Sequence, residues 1–372
     1  MAKKIIILII STSILAVLIG AAAVQANNGI RVIDSSVEIT FPYQLTFKIA
    51  TEGDSEIKDI RLHYQVKRDQ FAIVTSEIII DFKPSNKVET DWKWDLRKSG
   101  GLPAGTIIKY WWTIRNVDED IIQTEISNIQ FNDERYSWRS ITKGEVTIYW
   151  YKGGEDFAWQ LMTTAQTSLE ELEANTGAHL QKPVNIYIYA NAADLQSAMI
   201  FPQEWTGGVA FTTYGTVAIG ISISNLDWGR RTIVHELTHL VTQQMTYNPY
   251  NSLPVWLNEG LSMYVEGDIQ PLFESYLRQA ILNDELISVR SLASPFSADT
   301  ELSYLSYAQS MSIVEFLIDN YGQQKMFELL NVFRIGSEYD EALTKVYGFD
   351  MDGLCDRWRD YISTVYGQAL EK

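Results

Sequence analysis

The chain carries His235-Glu236-Leu237-Thr238-His239 and, 20 positions after the second histidine, Glu259 within Leu257-Asn258-Glu259-Gly260. Two helical positions four apart differ by only about 40° around the axis, so both imidazoles can reach one metal from the same face. Ile233, Val234, Leu237, Leu240 and Val241 form an apolar stripe that predicts this helix, beginning near Asp227 and broken by Asn248-Pro249-Tyr250-Asn251. Ser252 and Pro254 then supply the cap and first turn of a second helix, with Glu259 about one turn into it. A hydrolytic zinc site needs three protein ligands and an open position. The pattern therefore predicts a Zn2+ centre with His235, His239 and Glu259 as ligands and Glu236 as the general base that takes a proton from the attacking water.

Of the 4 histidines, the other two are poorly placed to join this group. His63 stands in a strand with no ligand near it in sequence, and His179 follows a helix stop, where capping a carbonyl is the expected role. Cys355 is the single cysteine, so no internal disulfide can form; its apolar surroundings predict a buried small hydrophobe.

Acidic residues outnumber basic ones 47 to 30, a net charge of -17. No basic cluster exists to meet a phosphate backbone, which argues against nucleic acid and against anionic membrane surfaces as partners. Lys3 and Lys4, the apolar run Ile5 to Val24 and the small-residue site Val24-Gln25-Ala26 read as an export signal over residues 1–26. The run is also long enough to serve as an uncleaved membrane anchor. Either way the folded part is expected outside the cytoplasm, secreted or anchored at the cell surface.

Residues 27–135 show short alternating runs, among them Val37 to Phe41, Leu45 to Ile49, Ile60 to Val66 and Ile78 to Phe82, separated by Gly, Asp, Asn and Pro. This predicts an all-β sandwich of immunoglobulin or fibronectin type, serving as a spacer or docking module. Trp92, Trp94, Trp111 and Trp112 offer a sugar-binding platform as a second reading, although strand alternation places half of them in the core.

The organisation changes near Tyr136. A strand at 146–151, an amphipathic helix at 158–175 stopped by Gly177 and a strand at 184–189 precede the metal helix. A glycine-bounded hairpin from Gly207 to Ser222 stands just before it. After Glu259 the pattern is helical to the end, with a helix over Ile313 to Tyr321 and two more at 326–333 and 354–366. Residues 136–372 thus read as an α+β domain with a helical C-terminal lobe.

The H-E-x-x-H motif, the run Pro254-Val255-Trp256-Leu257-Asn258-Glu259-Gly260 and the stretch Tyr307-Ala308-Gln309-Ser310 resemble the gluzincin metallopeptidases. Within them the likeness is strongest to the peptidase-MA-like proteins related to thermolysin and the zinc aminopeptidases. The resemblance implies a zincin-like fold for residues 136–372 and a zinc metallopeptidase acting on peptides or proteins. It implies that the hairpin holds an extended substrate and that Tyr307 donates a hydrogen bond to the oxyanion from the start of a helix, with Tyr304 as competitor. Two family features depart. The acid that grips a substrate's amino terminus in the aminopeptidases is missing from Gly207-Gly208-Val209-Ala210-Phe211-Thr212, and the acid four residues after the glutamate ligand is replaced by Met263. Two rival functions stay open at this stage: a surface binding or adhesion protein with a structural or degenerate zinc site, and a zinc hydrolase with a non-peptide substrate.

Overall fold

A strand of 23 residues, β2 (Gln44–Val66), would reach roughly 75 Å if fully extended. It does not run straight, because the ring of Phe47 in its first half lies 6.3 Å from that of Tyr64 in its second. The strand folds back near Gly53, where the pairing register shifts between Glu52 and Ile57. A Cβ at Gly53 would stand 2.5 Å from the Ser55 carbonyl oxygen, so this bend requires glycine.

The computed structural model describes residues 29–69, 72–202 and 206–370. β1 (Ile30–Thr40) and β4 (Ser85–Asp95) flank the first half of β2, while β3 (Ser76–Ile79) and β5 (Thr106–Asn116) flank the second. β6 (Ile121–Gln123) and β7 (Ser127–Phe131) extend from β5. Phe47 and Ile49 from one half share a core with Ile60, Leu62, Tyr110 and Trp112 from the other. The two facing layers are therefore one hydrogen-bonded 7-stranded sheet folded over on itself, not two separate sheets. The runs read from sequence as two strands, 45–49 and 60–66, are the halves of β2. Trp112 is fully buried, whereas Trp111 stacks on His63 at 5.3 Å. The leader read at 1–26 lies outside the described residues, and no helix among those described is long and apolar enough to cross a membrane.

A second sheet of 5 strands has the order β11 (Gly208–Phe211), β12 (Thr216–Gly220), β10 (Val184–Tyr189), β9 (Val146–Trp150), β8 (Arg139–Lys143). Its three inner strands are parallel. Parallel neighbours need a crossover, and α1 (Glu155–Thr176) supplies it between β9 and β10, ending at Gly177 with φ 71°. Ile148, Ile186, Ile188 and Ile219 face α1 and α3 (Leu226–Thr246), with α2 (Ala192–Gln196) beside β12. Tyr187 and Tyr189 point the other way and pack with Phe41, Ala104 and Trp138. Asp133, 1% exposed, fastens this junction by accepting from Arg135 Nε at 2.7 Å and from the Tyr189 hydroxyl at 3.2 Å.

The remainder is helical: α4 (Val255–Glu266), α5 (Pro271–Asn283), α6 (Val289–Leu292), α7 (Thr300–Tyr321), α8 (Gln323–Arg334), α9 (Tyr339–Tyr347) and α10 (Met351–Leu370). Cys355, expected to be buried, is half-buried at the margin of their shared core. α7 begins well before the run read as a helix from Ile313, because Asp299 caps it by accepting from the amides of Glu301 and Leu302. α4 and α7 cross closely at Gly260, where a Cβ would lie 2.3 Å from the Ser310 carbonyl oxygen and 2.7 Å from Val314 Cγ2. Backbone cannot yield to a methyl group as a side-chain tip can. Gly260→Ala should therefore destabilise the protein by about 2 kcal/mol, read as a lowered denaturant midpoint; an unchanged midpoint would show that the crossing has slack.

Candidate metal centre

α3 follows a single 3-10 turn and is held by Ile233, Leu237, Leu240 and Val241, all buried against the sheet and the helical core. Thr238, Thr242 and Thr246 return their hydroxyls to the carbonyls of Val234, Thr238 and Thr242, so these polar groups are satisfied within the helix. The chain turns after Tyr247 and re-enters a helix at Pro254, which occupies the cap itself without a side-chain bond, whereas the sequence suggested a first-turn position. Trp256, Leu257 and Leu261 anchor α4 in the core. Glu259, Ser262 and Glu266, spaced three and seven apart, fall on its other face toward α3.

The three ligand atoms anticipated from the sequence converge. Glu259 Oε2 lies 3.3 Å from His235 Nε2 and 3.4 Å from His239 Nε2, and the two imidazole rings stand 83° apart in plane. His235, His239 and Glu259 form a group able to hold a metal ion, and no further His, Cys, Asp or Glu among the described residues joins it. Glu259 Oε2 is buried without a hydrogen-bond partner. A carboxylate oxygen orphaned in this way is costly unless a cation takes the position. The donor set of two imidazole nitrogens and one carboxylate oxygen fits zinc, with one coordination position left over.

The other ring nitrogens are occupied. His235 Nδ1 donates to Glu266 Oε1 at 2.6 Å, and His239 Nδ1 pairs with Ser262 Oγ at 3.2 Å. These contacts leave each Nε2 free to coordinate and fix the ring orientations. Glu266 and Ser262 were not found from the sequence. The family pattern directs attention to the fourth position after Glu259, whereas the acid sits at the seventh, two helical turns on and on the same face.

Charges at the site follow from this packing. Burial opposes ionisation of Glu259, yet His239 and His235 hold its carboxyl well below the usual range. Burial likewise works against a charged His235, but Glu259 and Glu266 raise it well above its ordinary value. Burial pushes the Glu236 carboxyl up despite the two histidines. Glu236 is 8% exposed and presses against the edge strand, where a Cβ on Gly208 would stand 2.8 Å from its Oε1.

His235 and Glu236 open onto a cavity of about 380 Å³ whose wall includes Trp228, Phe273, Tyr304 and Tyr307. A larger cavity of about 780 Å³ between α1 and α3 reaches only Glu266 of this group. Tyr307 lies in the interior of α7, not at a helix start as the family resemblance implied, because the helix begins at Thr300. Its ring is 6.5 Å from that of His235, and burial together with Glu259, Glu236 and Glu266 pushes its hydroxyl up, so it stays a donor at neutral pH. Tyr304 packs instead on Phe273 at 5.3 Å and Tyr276 at 5.6 Å. His63 pairs with Thr113 at 2.9 Å, and His179 contacts the Gly177 carbonyl at 3.4 Å; neither belongs to the centre.

Comparison with known proteins matches residues 164–364 to the Peptidase MA superfamily. No curated protein matches the chain in sequence. Among solved structures, an M1 zinc metallopeptidase from Deinococcus radiodurans shares 9% identity, covering 89% of this chain and 94% of its own, with a TM-score of 0.34. An aminopeptidase N family protein from Idiomarina loihiensis shares 10%, over 84% and 73%, with a TM-score of 0.39. OgpA from Akkermansia muciniphila shares 10% over 29% of this chain, which spans 28% of that protein, with a TM-score of 0.22.

If Glu266 sets the tautomer of His235, Glu266→Ala should weaken zinc binding by roughly 10- to 100-fold, and Glu259→Ala by more. Competition against a chelator of known affinity measures both. Wild-type affinity in Glu266→Ala would remove the acid from the metal's support.

Proposed function

The chain belongs to the Peptidase MA superfamily, and from that premise we propose that it is an exported zinc-dependent metallopeptidase that hydrolyses peptide bonds. The observation that carries the reading is the buried Glu259 Oε2 within 3.4 Å of both imidazole Nε2 atoms, with the buried Glu236 on the same helix as the two histidines. His235, His239 and Glu259 would hold the ion. Zinc bound there supplies Lewis acidity to the reaction.

Glu236 takes the proton of the attacking water and gives that proton later to the leaving amine. Tyr307 donates to the oxyanion as negative charge collects on the former carbonyl oxygen. The edge strand β11 pairs only with β12 among the described strands and lies against Glu236 at Gly208. An extended peptide can therefore align there by main-chain hydrogen bonds, which favours a peptide over other hydrolysable substrates. Residues 136–372 would be the catalytic domain, because every proposed ligand lies on α3 or α4, and residues 27–135 a spacer or docking module. Export rests on the lysine-led apolar segment that opens the sequence.

Glu236→Gln should keep its zinc and lose roughly 100- to 10 000-fold in turnover of an unbiased peptide library. Near-normal rates would show that another group is the base. Tyr307→Phe removes a single hydroxyl and should lower turnover by roughly 10- to 1000-fold at unchanged zinc content. The same loss in Tyr304→Phe, with Tyr307→Phe unaffected, would transfer the role.

A further inference from the structure

Arg231 lies one turn before His235 on the same face of α3 and lines the cavity into which His235 and Glu236 open. Among the described residues lining that cavity it is the one lysine or arginine. Its neighbour Arg230 is engaged, with Gln160 Oε1 at 2.8 Å and Asp227 at 3.5 Å. Arg231 is exposed and forms no ion pair or hydrogen bond among the described residues. In a chain with 47 acidic and 30 basic residues, a guanidinium without an acidic partner beside this cavity is available to an anionic group of a ligand.

Apart from its tyrosines, the other ionisable groups lining the cleft are His235, Glu236 and Glu266, all close to the centre. Arg231 places a permanent positive charge further out on the wall. Trp228, one turn further out, closes the wall against Gly207, where a Cβ would lie 2.6 Å from its Cζ2. Four residues of helix separate the Arg231 and His235 backbones by about 6 Å along the axis, and helical side chains lean toward the N-terminus. The guanidinium thus stands roughly 10 Å from the ligand atoms, or about three residues of extended peptide.

We propose that Arg231 is a specificity-determining residue that binds a substrate carboxylate two to four residues from the scissile bond, so that acidic peptides are the preferred class. The inference rests on the peptidase reading. A planar guanidinium matches a carboxylate through two parallel hydrogen bonds, which a neutral amide cannot reproduce. The carboxylate can come from an Asp or Glu side chain or from a free C-terminus.

The test uses the zinc-loaded full chain and matched peptides carrying Glu or Gln at each of the four positions on either side of the cleaved bond, each made as C-terminal acid and amide. The best Glu peptide should exceed its Gln partner in kcat/KM by roughly 10- to 100-fold. Arg231→Gln should reduce that ratio below about threefold, and Arg231→Glu should bring it to one or below. If the acid and amide forms carry the difference instead, and Arg231→Gln abolishes it, the bound group is the free C-terminus. Equal cleavage of all pairs by the wild type, or an unchanged ratio in Arg231→Gln, overturns the proposal. Should the zinc-loaded wild type cleave none of the peptides, the peptidase reading fails. Tryptophan-fluorescence titration with the same peptides then decides the role of Arg231: an affinity preference lost in Arg231→Gln supports it, and equal affinities overturn it.

Discussion

Everything at the centre depends on bringing a buried carboxylate oxygen against two imidazole nitrogens with nothing else to satisfy it. Glu259 Oε2 approaches both Nε2 atoms to within 3.4 Å and has no hydrogen-bond partner. Taking a carboxylate out of water is costly, and here only the two imidazoles stand against that cost electrostatically. The fold opposes that cost with packing: Trp256 and Leu257 fix α4 in the core, and Gly260 lets α4 approach α7 backbone to backbone. The same approach carries Tyr307, three residues before Ser310 on α7, to the edge of the centre. A cation in the middle of the three atoms turns the arrangement from a liability into a binding site.

The part of this site that was legible in sequence is the part governed by local geometry. His235 and His239 share a face through helical periodicity alone, and the interval to Glu259 suffices for one turn and an antiparallel return. Ser262 and Glu266 obey the same periodicity on α4, at the third and seventh positions from Glu259, but a polar residue on a helix face is ordinary until its partner across the groove is known. The placement of Tyr307 at a helix start missed because the Asp299 cap, which opens α7 at Thr300, lies upstream of the apolar run that marked the helix. In the N-terminal region, alternation identified strands without their wiring. Glycine and aspartate at 53–54 read as a turn between two strands, yet the backbone bends there within one strand, whose pairing with β4 resumes at Ile57. Periodicity reports which residues face a core, not whether one strand serves two layers.

The sheet beside the centre explains why the arrangement faces a cleft. Its parallel inner strands direct one set of side chains to α1 and α3 and send Tyr187 and Tyr189 to the junction with the N-terminal region, where Asp133, paired with Arg135, accepts from the Tyr189 hydroxyl. Both faces are consequently covered, and β11 is left as an edge next to Glu236. The absence of a side chain at Gly208 is what allows the strand and the glutamate to touch. An edge strand, a buried glutamate and a group able to hold a metal ion then occur side by side on elements anchored from behind.

His235, His239 and Glu259 are proposed to bind zinc in an open, catalytic arrangement. X-ray absorption at the zinc edge of the metal-loaded protein tests it most directly, because scattering distance and type separate nitrogen and oxygen ligands from sulfur. The account predicts one zinc per chain with a shell of nitrogen and oxygen at about 2.0–2.2 Å, two imidazoles among them, that is altered by a small competing anion. A sulfur shell near 2.3 Å, a shell closed by a further protein ligand and indifferent to the anion, or failure to bind zinc at one per chain would contradict it.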